Sequence, residues 1–74
     1  MNISKPHTWP GKRCRVANYR RGGTVEAGTV RTAEYCLHGN SASGDWRYVI
    51  TLDRRTKAGR FLHLTVGVEA MRHL

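Results

Sequence analysis

The sequence predicts an all-β fold in which five short strands close into a small barrel. Apolar and polar residues alternate in several segments with the period of a half-buried strand. Turns rich in glycine or charge separate these segments. The chain has only 74 residues, enough for one small domain. Because a sheet of this size hides its edges best by closing on itself, a barrel is favoured over an open sheet.

The first elements are an N-terminal arm and a strand. Residues 1–11 contain two prolines and a glycine without periodicity, which indicates a flexible arm ahead of a single domain over residues 12–74. Alternation begins at Arg13 and turns Cys14 and Val16 to the same, inward side. The strand ends at a polar turn in which paired glycines permit positive φ angles.

The second strand, from Thr24 to Leu37, is rich in residues that favour pleated structure. Its apolar phase is not constant, because Val30 and Cys36 lie on one face and Tyr35 lies on the other. A β-bulge near Thr32–Glu34 would shift the phase by one residue and reconcile the two halves.

The clearest strands form a central hairpin. Alternate residues are apolar in Trp46–Asp53 and again in Phe61–Val66. Antiparallel pairing of Ile50 with Leu64, of Tyr48 with Val66 and of Leu52 with Leu62 aligns the apolar faces, whereas a slip of one residue would separate them. The predicted core consists of Val16, Val30, Ile50, Leu52, Leu62, Leu64 and Val66.

The chain ends in a segment too short for a stable helix, residues 68–74, which predicts one helical turn and a short closing strand. From Gly11 to Leu74 the order is therefore strand, long loop, strand, loop, hairpin, helical turn and last strand. This order resembles that of SH3-like barrels. The resemblance implies a fold and no particular function, because such folds host many functions.

A second resemblance concerns Gly28–Cys36, which is similar to the second strand of the plasmid-borne type II dihydrofolate reductases. Those enzymes are SH3-like barrels that assemble as tetramers around a pore lined by a Val-Gln-Ile-Tyr run. The corresponding stretch here, Leu62–Thr65, lacks the Gln and the Tyr. No catalytic residue is carried over, and reductase activity is not expected.

The charge of the chain is strongly positive, with 13 Lys and Arg against 5 Asp and Glu. Two clusters contain no acid: Lys12–Arg21 and Arg54–Arg60. In an up-and-down sheet the first and third loops share one end, so the clusters should converge into a positive rim. Because arginine suits planar contact with phosphate, the sequence predicts binding of nucleic acid, DNA or RNA. The candidate residues are Arg13, Arg15, Arg20, Arg21, Arg54, Arg55, Lys57 and Arg60.

Other interpretations of these surfaces stay open. Tyr19, Trp46 and Tyr48 offer stacking faces for bases, although the last two fit a core better. The cations could also form a solvated surface that only keeps the protein soluble. The alternative function is protein–protein or self-association: Val49 and Phe61 point outward from the central hairpin, and a small core gains from forming a homo-oligomer.

Catalysis, cofactors and metals are not expected. The carboxylates are scattered, without the paired arrangement of acid–base catalysis. Cys36 and His38 could share one strand face, but a structural zinc site needs four converging ligands. Ser41 and Ser43 lie between His38 and Asp45 without a strained nucleophile turn. We therefore expect a non-enzymatic protein with no small-molecule substrate.

The cysteines and the N-terminus bear on the compartment. The first ten residues contain no apolar stretch of signal-peptide length, so a cytoplasmic location is expected. Cys14 and Cys36 are then free thiols that pack as small apolar groups. No apolar run approaches the roughly 18 residues of a membrane span.

Overall fold

The computed structural model describes residues 8–72, and these form five strands in one antiparallel sheet. The strands are β1 (Arg13–Asn18), β2 (Thr24–Leu37), β3 (Gly44–Arg55), β4 (Phe61–Gly67) and β5 (Met71–Arg72). A 3-10 turn, Tyr19–Arg21, connects β1 to β2, and a second, Val68–Ala70, precedes β5. The all-β prediction is confirmed, as is the helical turn before a short last strand.

The strand order is β4-β3-β2-β1-β5, so β4 and β5 are the two edges of the sheet. In residues 8–72 no strand pairing joins these edges, and the structure has an open sheet instead of the predicted closed barrel. The physical reason is the length of β5, which has two residues and pairs only with Arg15 and Val16 of β1. The second 3-10 turn contributes the buried Ala70 to the common core.

The central hairpin has the predicted register over most of its length. Ile50 pairs with Leu64 and Tyr48 pairs with Val66, as predicted. Towards the β3–β4 turn the register shifts, and the predicted pairing of Leu52 with Leu62 is not formed. Leu52 nevertheless stays buried and Leu62 packs against the core, because both keep the inward side of their strands.

The phase change in β2 is a bulge, as predicted, but it lies between Val30 and Thr32, directly before the predicted position. The extra residue turns the remainder of the strand over, so Tyr35 shares a face with Trp46. Cys36 therefore points away from the core and is exposed. The prediction that Cys36 is a buried thiol is wrong, whereas Cys14 is buried and neither cysteine is disulfide-bonded.

The core lies on one face of the sheet. Every predicted core residue is buried except Leu62, which is half-buried at its border. The buried residues of this core cluster are Cys14, Val16, Val30, Tyr48, Ile50, Leu52, Leu64, Val66 and Ala70.

The N-terminal segment is attached to β2 where the structure describes it. Gly11 donates its backbone N–H to the Val30 carbonyl at 2.8 Å, and Val30 donates to the Lys12 carbonyl at 2.9 Å. Trp9 is half exposed, with the Lys12 ammonium 5.1 Å from its ring centre. Of the predicted arm, residues 1–7 lie outside the described residues, and residues 8–11 run beside the sheet.

Candidate functional site

A largely buried carboxylate, that of Glu26, organises the end of the sheet that carries the first and third loops. Glu26 lies on the inward side of β2, and Arg54 follows Leu52 on the inward side of β3. Arg54 donates from Nε to Glu26 Oε1 at 2.6 Å. Asn18, at the end of β1, donates from Nδ2 to Glu26 Oε2 at 2.7 Å. The side chain of Glu26 is only 10% exposed, so these polar groups cover the end of the core.

The environment of Glu26 keeps its carboxylate charged. The hydrogen bond from Arg54, followed by the one from Asn18, holds the pKa of Glu26 below its ordinary value, against the opposing effect of burial. Arg21 adds a second positive charge, with a guanidinium nitrogen 3.9 Å from Oε1. A buried charge is tolerated when it is paired and hydrogen-bonded, which these neighbours achieve. We call Asn18, Arg21, Glu26 and Arg54 the Glu26 cluster.

The first loop is held in a defined conformation by Asn18, which is itself buried. Its side-chain oxygen accepts the backbone N–H of Arg20 at 3.1 Å, and its carbonyl accepts the N–H of Gly23 at 2.9 Å. Gly22 and Gly23 have φ angles of +68° and +81°, a conformation that favours glycine. The arginines of the 3-10 turn are therefore carried on a fixed scaffold and not on a loose loop.

The two predicted cation-bearing loops meet at the Glu26 cluster, because Arg21 of the first and Arg54 of the third bind the same carboxylate. The segments that directly follow Asn18 and Arg54 in the chain carry four exposed cations that form no ion pair with any residue from 8 to 72. These are Arg20, Arg55, Lys57 and Arg60. We call them, with Arg21 and Arg54, the loop-end rim.

Arg13 and Arg15 are not brought into the loop-end rim. Both lie on the outward face of β1. Arg13 donates to Asp53 at 2.7 Å and to the Thr29 hydroxyl at 2.9 Å. The hydrogen bonds between Arg13 and Asp53 lower the pKa of the carboxyl and raise that of the guanidinium. Arg15 is exposed and lies opposite Arg72 of β5.

Of the three aromatic residues proposed for stacking, only Tyr19 is freely accessible at the loop-end rim. Its side chain is 63% exposed on the first 3-10 turn. Tyr48 is fully buried in the core. Trp46 is half-buried and meets Tyr35 edge-on, with ring centroids 5.5 Å apart. The structure therefore supports the interpretation that Tyr48 and Trp46 are packing residues.

Val49 and Phe61, the candidates for a protein interface, are not neighbours. Val49 is half-buried and pairs with Thr65 of β4. Phe61 lies four residues before Thr65 along β4, about 13 Å at strand spacing, and pairs with Arg55. The Arg55 guanidinium carbon lies 4.3 Å from the centre of the Phe61 ring. The two residues therefore do not form one continuous apolar patch.

The opposite end of the sheet holds the residues considered for catalysis and metal binding. His38 Nε2 lies 2.7 Å from an Asp45 oxygen, while Ser41 and Ser43 hydrogen-bond each other through their hydroxyls at 2.8 Å. In the described part of the chain neither hydroxyl is hydrogen-bonded to His38. Within residues 8–72 no three His, Cys, Asp or Glu side chains are grouped so that they could hold a metal ion.

Sequence reasoning missed Glu26 because the two basic clusters contain no acid along the chain. The sequence signal that could have revealed Glu26 was the alternation of inward and outward residues along its strand. Glu26 falls on the inward side of β2 together with Val30, and Arg54 falls on the inward side of β3 together with Leu52. Opposite charges at inward positions of neighbouring strands are the pattern of an ion pair that covers the end of a core.

Comparison with known proteins adds no family or function. No protein-family model, curated protein or solved structure matches the chain. Between residues 8 and 72 the structure contains no helix of sufficient length and apolar character to cross a membrane. The function is therefore inferred from the geometry and charge of the site.

Proposed function

We propose that the protein is a small basic, non-enzymatic module of the cytoplasm that binds nucleic-acid phosphates through the loop-end rim. The observation that supports this is the group of four exposed cations in the segments that follow Asn18 and Arg54, which have no carboxylate partner in residues 8–72. The chain as a whole carries a net charge of +8. Phosphates supply the negative charge that the protein does not place beside these cations.

The six cations of the loop-end rim have two roles in this proposal. Arg21 and Arg54 are engaged by Glu26 and hold the two loops together. The remaining four contact phosphate. Because phosphate contacts carry no sequence information, binding has little sequence preference.

The architecture we propose is an SH3-like sheet that curls around its core without closing. The strand order, the two-residue last strand beside β1 and the 3-10 turn before it support this likeness. The meander from β1 to β4 explains why the first and third loops lie at one end, which is the requirement for a shared cationic surface.

The test is a salt titration of binding to short single- and double-stranded DNA and RNA. The rim variant carries Arg20→Gln and Lys57→Gln, one change in each loop, at exposed side chains outside the Glu26 cluster. Each lost phosphate contact lowers the slope of log affinity against log salt by about 0.7–0.9. The slope of the rim variant should therefore be smaller in magnitude than that of wild type by somewhat under two.

The matched control carries Lys12→Gln and Arg15→Gln, one Lys and one Arg at exposed positions outside the two loops that form no ion pair with residues 8–72. It should keep most of the wild-type slope. An equal loss of slope in the two variants would show a diffuse charge effect and contradict the rim. Absence of wild-type binding to any of the four nucleic acids at micromolar concentration and about 0.1 M salt would refute the function itself.

A further inference from the structure

We infer that the loop-end rim takes single-stranded nucleic acid, with bases stacking on Tyr19 and on the Arg55–Phe61 pair. The inference rests on the proposed function, since it names the class of nucleic acid that the same surface binds. It is carried by two exposed aromatic rings that stand beside the unpaired cations.

The first ring, Tyr19, is the most exposed large apolar side chain in residues 8–72, at 63%. It stands between Asn18, which holds the turn, and the unpaired Arg20. One edge of its ring lies near Gly23, where an added Cβ atom would stand 3.9 Å from Cδ1. The tyrosine therefore presents a large planar surface to solvent from a backbone that is already ordered, so stacking costs little conformational entropy.

The second ring, Phe61, is 54% exposed at the start of β4. The Arg55 guanidinium lies 4.3 Å from its ring centre, a cation–π arrangement. This contact orients a planar cation beside a planar ring. Such a pair offers a stacking surface for a base and N–H donors for the adjoining phosphate.

The Glu26 cluster brings the two stacking surfaces to the same end of the sheet. Tyr19 directly follows Asn18, and Arg55 directly follows Arg54. Asn18 and Arg54 each hydrogen-bond Glu26, at 2.7 and 2.6 Å. Asn18 ends β1, and Arg54 is the penultimate residue of β3. These strands flank β2, so the two backbones are about 10 Å apart.

Exposed aromatic rings among cations favour a single strand over a duplex. In a duplex the base faces are stacked on one another, so a protein meets phosphates, sugars and base edges but no free base face. In a single strand every base offers a free face, and stacking is tolerant of sequence. A surface that bound only phosphates would gain nothing from two large rings exposed to water.

The experiment measures binding of three 12-nucleotide probes by fluorescence anisotropy: oligo-dT, oligo-rU, and a chain of abasic phosphodiester units with the same charge. Wild-type protein should bind both base-containing probes about tenfold or more tightly than the abasic chain. Tyr19→Ala should lose about tenfold on the base-containing probes, while Tyr19→Phe retains the ring and the affinity. Because Tyr19 neutralises no phosphate, the salt slope of Tyr19→Ala should equal that of wild type.

Two results would overturn the inference while leaving the proposed function intact. One is equal affinity for the abasic chain and the base-containing probes. The other is unchanged affinity of Tyr19→Ala for oligo-dT and oligo-rU alike. Absence of binding to all three probes and to duplexes would refute the proposed function together with the inference. If oligo-dT and oligo-rU differ in affinity but both bind more tightly than the abasic chain, the inference stands.

Discussion

Replacing Glu26 by alanine tests whether the Glu26 cluster holds the loop end of the sheet together. The change removes the acceptor of Asn18 Nδ2, and Asn18 is itself only 5% exposed. A buried donor left without a partner costs about 1–3 kcal/mol. Arg54 is substantially exposed, so its lost ion pair adds little to this figure. We therefore expect Glu26→Ala to lower the free energy of unfolding by about 1–3 kcal/mol.

The assay is urea unfolding followed by circular dichroism, with thermal melting beside it. In a domain of this size each kcal/mol lowers Tm by roughly 4–8 °C. Glu26→Gln keeps an oxygen that can accept from Asn18, so it should lose less stability than Glu26→Ala. Glu34→Ala removes a carboxylate from an exposed position of the same strand and should change stability by no more than about 0.5 kcal/mol.

Two outcomes would contradict this reasoning. If Glu26→Ala unfolds at the same urea concentration as wild type, the hydrogen bond from Asn18 Nδ2 to Glu26 does not contribute to stability. If Glu26→Gln loses as much stability as Glu26→Ala, the attraction between charges is the main contribution and the neutral acceptor is not. The first outcome would show that the Glu26 cluster does not fix the two loops, and the second would show that it fixes them through its ion pairs and not through the Asn18 hydrogen bond.

Three further predictions concern the core, the thiols and acid. Ile50→Ala should lower the free energy of unfolding, measured in urea, by about 2–5 kcal/mol, because Ile50 is fully buried. Val68→Ala, at an exposed site, should change this free energy little. Equal effects of the two substitutions would mean that the strand faces are reversed. Cys36 should react with a thiol reagent in the native protein and Cys14 only after unfolding, since burial also raises the pKa of Cys14; two fast-reacting thiols would contradict this. Because the pKa of Glu26 is lower in the folded chain than its ordinary 4.5, stability should be retained above about pH 4.5 and fall as the pH drops further; a Glu26→Gln variant with the same acid dependence would refute the assignment.

The strand faces could be predicted because alternation is a local property. A residue and its second neighbour point to the same side of a strand whatever lies across from them. Val16, Val30 and Ile50 were placed in the core on that ground alone, and all three are buried. The bulge in β2 was predictable in the same way, since a change of phase within one strand needs one extra residue.

Closure of the sheet could not be read from alternation. It depends on whether β5 reaches β4, which is a question of length and curvature. With two residues, β5 covers only a small part of β1 and leaves the sheet open. The exposure of Cys36 follows from the bulge between Val30 and Thr32, which reverses every later side chain of β2. A bulge at the predicted Thr32–Glu34 would have turned Cys36 outward as well.

The sequence by itself determined the all-β class, the inward residues and the presence of two basic loops, because each follows from neighbours along one strand or turn. Only the tertiary structure decided which cations are unpaired. Glu26 is separated from Arg54 by 28 residues, and Arg13 from Asp53 by 40. Ion pairs over such separations depend on strand register, and register is set by packing across the whole sheet.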